Sequence, residues 1–164
     1  MIRLPAAIFL ALLVSGCGYH LAGGPPRALP QDVRSLAVIP VGEEAEMLST
    51  GILQELELRV GDVALLRGGE DAQAELRIGP LSSTYDAAAF DAQGVATAFK
   101  ATLSGELSLW RDGAVIWSSG DIFMHEDVYA TGGPASIEAS KARVLESLRQ
   151  RWRREAMQHL TSGF

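Results

Sequence analysis

One cysteine, Cys17 in the stretch LVSGCGYH, and three histidines, His20, His125 and His159, are the side chains best suited to nucleophilic, general-base or metal-binding chemistry. A lone cysteine can be a buried small hydrophobe, a nucleophile served by a distant base, or a site of covalent modification. His125 opens the pentapeptide HEDVY, which begins like the zinc-protease motif H-E-x-x-H. Tyr129 stands, however, where the second histidine must lie one helical turn further on. The three histidines fall in a Gly/Pro-rich lead, a loop and a helix end, with no acids gathered beside them, so the pattern predicts no metal site. No G-x-S-x-G elbow, phosphate loop or dinucleotide glycine pattern occurs. The two glycines of LRGGEDA lie between strands and read as a turn. The chain therefore reads as a binding or structural protein, not an enzyme, and without a cofactor beyond any covalent group on Cys17.

The position of Cys17 decides among its roles. Upstream, MIRLPAAIFLALLV has one positive charge at Arg3, an apolar stretch from Leu4 to Val14, and then the small residues Ser15 and Gly16. That is the order of a secretory signal, and the stretch is too short to span a bilayer, which takes roughly 20 apolar residues. VSGC also resembles the bacterial lipobox, whose cysteine becomes a diacylated N-terminus after cleavage. Residues 1–16 are thus expected to be a signal peptide. Acylation at Cys17 rules out catalysis by its thiol, and with no second cysteine the chain forms no internal disulfide. Several acyl chains hold a protein stably where one holds it marginally. Gly18, not an aspartate, follows the cysteine, which points to the periplasmic face of the outer membrane.

Roughly 150 residues remain after the signal, enough for one domain. Residues 17–34, with Pro25, Pro26 and Pro30, read as a lipidated tether, and 35–164 as a single domain. The formal charge is −6, and without Arg3 one unit more negative, which suits bulk nucleic-acid binding poorly. SLAVIPV (35–41) predicts a buried strand. Leu48, Ile52, Leu53, Leu56 and Val60 then recur at helical spacing before Gly61, with Glu43, Glu44 and Glu46 at the positive end of the helix dipole. DVALL and AELRIGPLSSTY predict two more strands. Asp112-Gly113 predicts a type I′ hairpin between two long strands. In that hairpin Trp110 is expected opposite Val115 and Leu109 opposite Ile116, with Phe99, Leu103, Leu107, Leu109 and Ile116 facing the core. Thr102, Ser104, Glu106, Ser108, Trp110 and Trp117 are expected on the other face. Pro134 opens a second helix to about Leu160, whose apolar stripe is Ile137, Val144, Leu145, Leu148, Trp152 and Ala156. The order β-α-β-β-β-β-α predicts an α+β, two-layer sandwich, with two helices on one face of a four- or five-stranded, mostly antiparallel sheet.

Two surfaces are candidates for contact. Trp110 and Trp117 share the polar hairpin face, where they either shield one another or anchor a partner, since aromatic residues are enriched where proteins bury partners. Arg143, Arg149, Arg151, Arg153 and Arg154 are either a solvated helix face or a set of forked donors for phosphate or carboxylate groups.

CGYHLAG, the Leu-Pro at 29–30 and LAVIPV together resemble the start of mature lipopolysaccharide-assembly lipoproteins of the LptE type. ATLSGELSLWRDGAVIWSS and the closing helix are similar to the rest of that family. The resemblance implies a plug in the lumen of the outer-membrane β-barrel LptD, which it helps to assemble and occlude while the pair delivers lipopolysaccharide to the outer leaflet. It also implies contact with lipopolysaccharide, for which Arg77, Lys100 and Arg111, on or beside predicted strands, are the candidates. Two other readings stay open: an auxiliary lipoprotein of a different envelope lipid-transport system, and an autonomous lipid or peptidoglycan binder.

Overall fold

The computed structural model describes residues 29–66, 69 and 71–163. The signal segment, Cys17 and His20 lie outside the described residues. The elements are β1 (Ser35–Pro40), α1 (Glu43–Arg59), β2 (Ala64–Leu66), β3 (Ala74–Ile78), β4 (Ser82–Phe90), β5 (Ala96–Arg111), β6 (Ala114–Tyr129) and α2 (Pro134–Ser162).

The protein is α+β, but its sheet has six strands, not four or five. The additional strand is β4, SSTYDAAAF. Its small and polar residues have low strand propensity, so local sequence gives it little signal. Gly79 and Pro80 do interrupt the third predicted strand, as expected, yet the chain then resumes along the same edge of β5. β3 pairs with Leu107 to Trp110 of β5, and β4 pairs with the stretch from Ala96 to Ser104. The step between them is fixed by the Gly79 N–H donating to the Glu106 carbonyl at 2.8 Å. It also needs Gly105, where a Cβ would come within 2.9 Å of the Leu81 side chain.

β1 pairs parallel with both β2 and β3, while the pairings involving β5 are antiparallel. The parallel β1–β2 pairing follows from α1, which carries the chain back so that β2 runs alongside β1 in the same direction. α1 buries Leu48, Ile52 and Leu56, and α2 buries Leu148, Trp152, Ala156, Met157 and Leu160. These join Leu36, Leu76, Ile78, Leu103, Leu107 and Leu109 from one face of the sheet in a single apolar cluster. Leu29 and Val33, in the span assigned to the tether, are also buried in this cluster.

The hairpin tip is as expected. Asp112 and Gly113 both have positive φ, 51° and 76°, as a type I′ turn requires. The pairing behind it is not. Trp110 faces Val115, but a register shift follows, and Leu109 faces Trp117 instead of Ile116. One extra residue reverses the sides of the strand beyond it. Trp117 therefore packs against the core cluster beside the end of α2, and Ile116 is 42% exposed. A second irregularity, between Glu106 and Ser108 of β5, coincides with Gly120 at φ 65°. β6 then runs on to Tyr129, so HEDVY and its His125 are strand and not loop.

Candidate functional site

The sheet face turned away from the apolar cluster is assembled by strand alternation. Glu75 and Arg77 of β3, Thr102, Ser104, Glu106, Ser108 and Trp110 of β5, and Asp121 of β6 share it, because Arg77 is in register with Ser108, Glu75 with Trp110, and Glu106 with Asp121. At its centre the Arg77 guanidinium lies 4.2 Å from the centroid of the Trp110 ring. The Glu75 carboxylate accepts from Arg77 Nε at 2.8 Å, and the Trp110 indole N–H donates to Ser108 Oγ at 2.9 Å. The arginine is thus held over the indole by an acid, in the geometry of a cation–π contact.

This stack forms one wall of a groove of about 500 Å³, lined by Arg77, Ser104, Glu106, Ser108, Trp110 and Asp121 among others. Ser118 Oγ donates to Glu106 at 2.7 Å beside it. Hydroxyls, carboxylates and a single stacked arginine line it together with the apolar surface of Val41, Pro80, Trp110 and Val115.

The three basic candidates do not converge. Arg77 belongs to the groove. Lys100 is exposed on the same side of the sheet, in register between Asp86 of β4 and Asp127 of β6. Lys100 lies eight residues along β5 from Ser108, roughly 26 Å at strand rise. Arg111 is engaged elsewhere, its two terminal nitrogens donating to Asp32 at 2.6 and 3.2 Å. That fork fastens the segment before β1 to the end of the long hairpin. The Arg111 hydrogen bond is the main reason the Asp32 carboxyl titrates below its ordinary value, and the guanidinium is raised in return.

The two tryptophans part company as well. Trp110 stays on the bare face, while Trp117 lies on the helix side, lining a small recess with Ser118, Ser119, His159 and Ser162.

Three arginines of α2 are clamps between elements, while Arg143 bonds within its own helix, to the Ala139 carbonyl and Ser140. Arg149 donates through Nε and Nη2 to Glu44 of α1 at 2.8 and 2.7 Å. Arg151 reaches Glu126 of β6 at 3.3 Å, and Arg153 lies 3.8 Å from Glu55 of α1. Gly51 leaves the space that the Arg153 guanidinium occupies. A phosphate on this helix would compete with carboxylates already in place. At the other end of α2, the Lys141 carbonyl accepts from the Tyr85 hydroxyl at 3.2 Å, and burial pushes that phenol up in pKa.

Among the described residues no group of three or more His, Cys, Asp and Glu side chains is arranged to hold a metal. His125 lies on the bare face of β6, and His159 lies 3.3 Å from Glu155 on α2. Among the same residues no helix is long and apolar enough to cross a membrane.

No family model and no curated protein matches the sequence. Solved structures do match the fold. The rare lipoprotein B of Shewanella oneidensis superimposes with a TM-score of 0.63 at 14% identity, covering 79% of this chain and 95% of its own. The fold is that of a bacterial lipoprotein domain. A minor lipoprotein of Acinetobacter baumannii gives a TM-score of 0.62 at 11% identity, over 82% of this chain and 95% of its own. Lipoprotein B of Nitrosomonas europaea gives 0.55 at 16% identity, over 89% of each. At these identities the likeness is one of architecture.

Asp32, Glu75 and Asp121 were invisible as site residues in the sequence. Only the pairing register brings Glu75 and Asp121 beside Trp110. Only the fold brings Asp32, on the far side of the chain's first strand, to Arg111.

Proposed function

We propose that the chain is a lipid-anchored outer-membrane lipoprotein that lodges in the LptD β-barrel, helps the barrel assemble, and with it delivers lipopolysaccharide to the outer leaflet. The lipobox-like VSGC supplies the anchor, and the resemblance of the opening CGYHLAG to the LptE family supplies the partner. The likeness of the fold to solved bacterial lipoproteins supports the lipid-anchored part of this reading.

The observation that carries the reading is the uncovered sheet face. An apolar plug could not sit in a wide barrel, whose lumen is polar. Here one side of β3, β5 and β6 presents hydroxyls, carboxylates and one stacked Arg77–Trp110 pair, together with the exposed Val115, Phe123 and Tyr129 of β6. β5 alone is 16 residues long, roughly 50 Å of strand, against a hydrocarbon thickness of about 30 Å. The β5–β6 hairpin is thus long enough to run the height of a lumen, with its polar side against the wall. In this role the Arg77–Trp110 stack is the anchor, Arg151 ties α2 to β6 of the hairpin, and Arg149 and Arg153 tie α2 to α1.

The test is purification of the full-length lipoprotein from native outer membranes in mild detergent, with mass spectrometry of what co-elutes. A large β-barrel at one-to-one stoichiometry is expected. Inner-membrane transporter subunits in its place would favour the auxiliary-lipoprotein reading and overturn this one.

A further inference from the structure

The uncovered sheet face carries a charge that the fold leaves uncompensated. Glu106 of β5 and Asp121 of β6 stand directly opposite one another in register, in the groove beside Trp110. Side chains so placed have Cβ atoms about 4.5–5.5 Å apart, and like charges there are unfavourable. Among the described residues neither carboxylate is in an ion pair; Glu106 accepts from Ser118 Oγ at 2.7 Å, and the Asp121 side chain has no hydrogen bond. The two cations of this face do not neutralise them. Arg77 is held by Glu75 at 2.7 Å and by the Trp110 ring, and Lys100 lies six residues along β5 from Glu106, roughly 20 Å at strand rise.

The arrangement is held in place by the bulge of β6. Gly120, at φ 65°, donates its N–H to Ser118 Oγ at 2.8 Å, and that hydroxyl donates on to Glu106. Leu107 N–H donates to Ser119 Oγ at 3.0 Å, which fixes the strands on the other side of the irregularity. On β5 the neighbours of Glu106 along the same face are Ser104 and Ser108, too short to shield it. Acids that lie between elements elsewhere are matched by arginine: Glu44 by Arg149, Glu126 by Arg151 and Asp32 by Arg111. Glu106 and Asp121 lack the arginine that those acids have.

We infer that the partner supplies it: the groove receives an arginine side chain, its guanidinium set between Glu106 and Asp121 and its methylene stem along the apolar surface of Val41, Pro80, Trp110 and Val115. The planar fork of five donors serves two carboxylates at once, which the single ammonium of lysine does less well. A phosphate group would meet the same two carboxylates and is repelled. Which protein bears the arginine rests on the barrel reading, in which it projects from the lumen wall.

The test measures the barrel retained by the immobilised full-length lipoprotein in mild detergent, together with the melting temperature of each variant. E106Q/D121N is expected to hold the barrel roughly 30-fold more weakly, yet to melt no lower than the parent, because it removes a repulsion. D121K, which sets a cation where the arginine would sit, is expected to weaken retention further than D121N does. E57Q/D62N removes two exposed carboxylates at the far side of the helix layer, from α1 and the turn after it, and is expected to bind as the parent does. Equal retention by E106Q/D121N and the parent would overturn the inference, as would an equal loss in E57Q/D62N or a loss accompanied by a lower melting temperature. A parent that retains no barrel would refute the barrel reading itself, and the inference with it.

Discussion

Replacing Trp110 with alanine should weaken the hold on a partner by more than the accompanying loss of folding stability explains. The indole stacks with Arg77 at 4.2 Å and donates to Ser108 at 2.9 Å. An exposed cation–π contact is worth about 0.5–1 kcal/mol, and a hydrogen bond about 0.5–1.5 kcal/mol net. With the half-buried ring itself, W110A should lose about 1–3 kcal/mol of folding stability. An aromatic anchor at the centre of an interface costs about 2 kcal/mol or more on truncation, so barrel binding should fall roughly 30-fold. The measurement is the amount of barrel retained by immobilised lipoprotein across a titration, alongside a thermal melt. V144A is the control, because it removes half-buried methyl groups from α2 and should cost a similar amount, about 1–2 kcal/mol, without touching the bare face. If W110A and V144A lose the barrel equally, the loss reports instability and the argument for an anchor on this face fails.

Two further outcomes follow from the core and the clamp. Trp152 is fully buried, and its indole N–H has no hydrogen-bond acceptor among the described residues. W152F should therefore fall within about 1 kcal/mol of the parent, because losing part of the ring is offset by removing an unsatisfied donor, whereas W152A should cost about 3–5 kcal/mol; chemical denaturation measures both, and a cost for W152F near that of W152A would contradict the assignment. The Asp32 carboxyl has its folded pKa depressed by Arg111, so its contribution is complete above the ordinary carboxylate range and is lost as pH falls through the lowered value. The melting temperature of D32N should thus lie below the parent at pH 7, with the gap closing under acid; a gap that persists or widens at low pH would exclude the Asp32–Arg111 fork as its source.

Much of the architecture was legible because it rests on local signals. The 3.6-residue spacing of Leu48, Ile52 and Leu56, the proline opening α2 and the Asp112-Gly113 turn each act within a few residues of themselves. β4 was only partly legible: Ser82–Tyr85 fall within the third predicted strand, whereas Asp86 and Ala87–Ala89 become strand by pairing with β5. The bulge that turned Trp117 inward was not legible: the sequence WRDGAVIW fits both registers, and packing beneath α2 selects between them. The candidate site was half readable. Strand alternation put Trp110 and Arg77 on polar faces, but their stacking and the groove around them depend on which strands lie side by side. The arginines of α2 resemble an anion site in the sequence because their partners, Glu44, Glu55 and Glu126, are brought in from segments 25 to 105 residues away.

The central claim is that the bare face of the β5–β6 hairpin lies against the wall of a barrel. A photo-crosslinking residue at Thr102, in the middle of that face and in register between Thr84 of β4 and His125 of β6, tests it in growing cells. An adduct with the mass of one lipoprotein plus one large outer-membrane β-barrel is expected. Adducts only with periplasmic or inner-membrane proteins, or none at Thr102 when positions on α2 do capture a barrel, would contradict it.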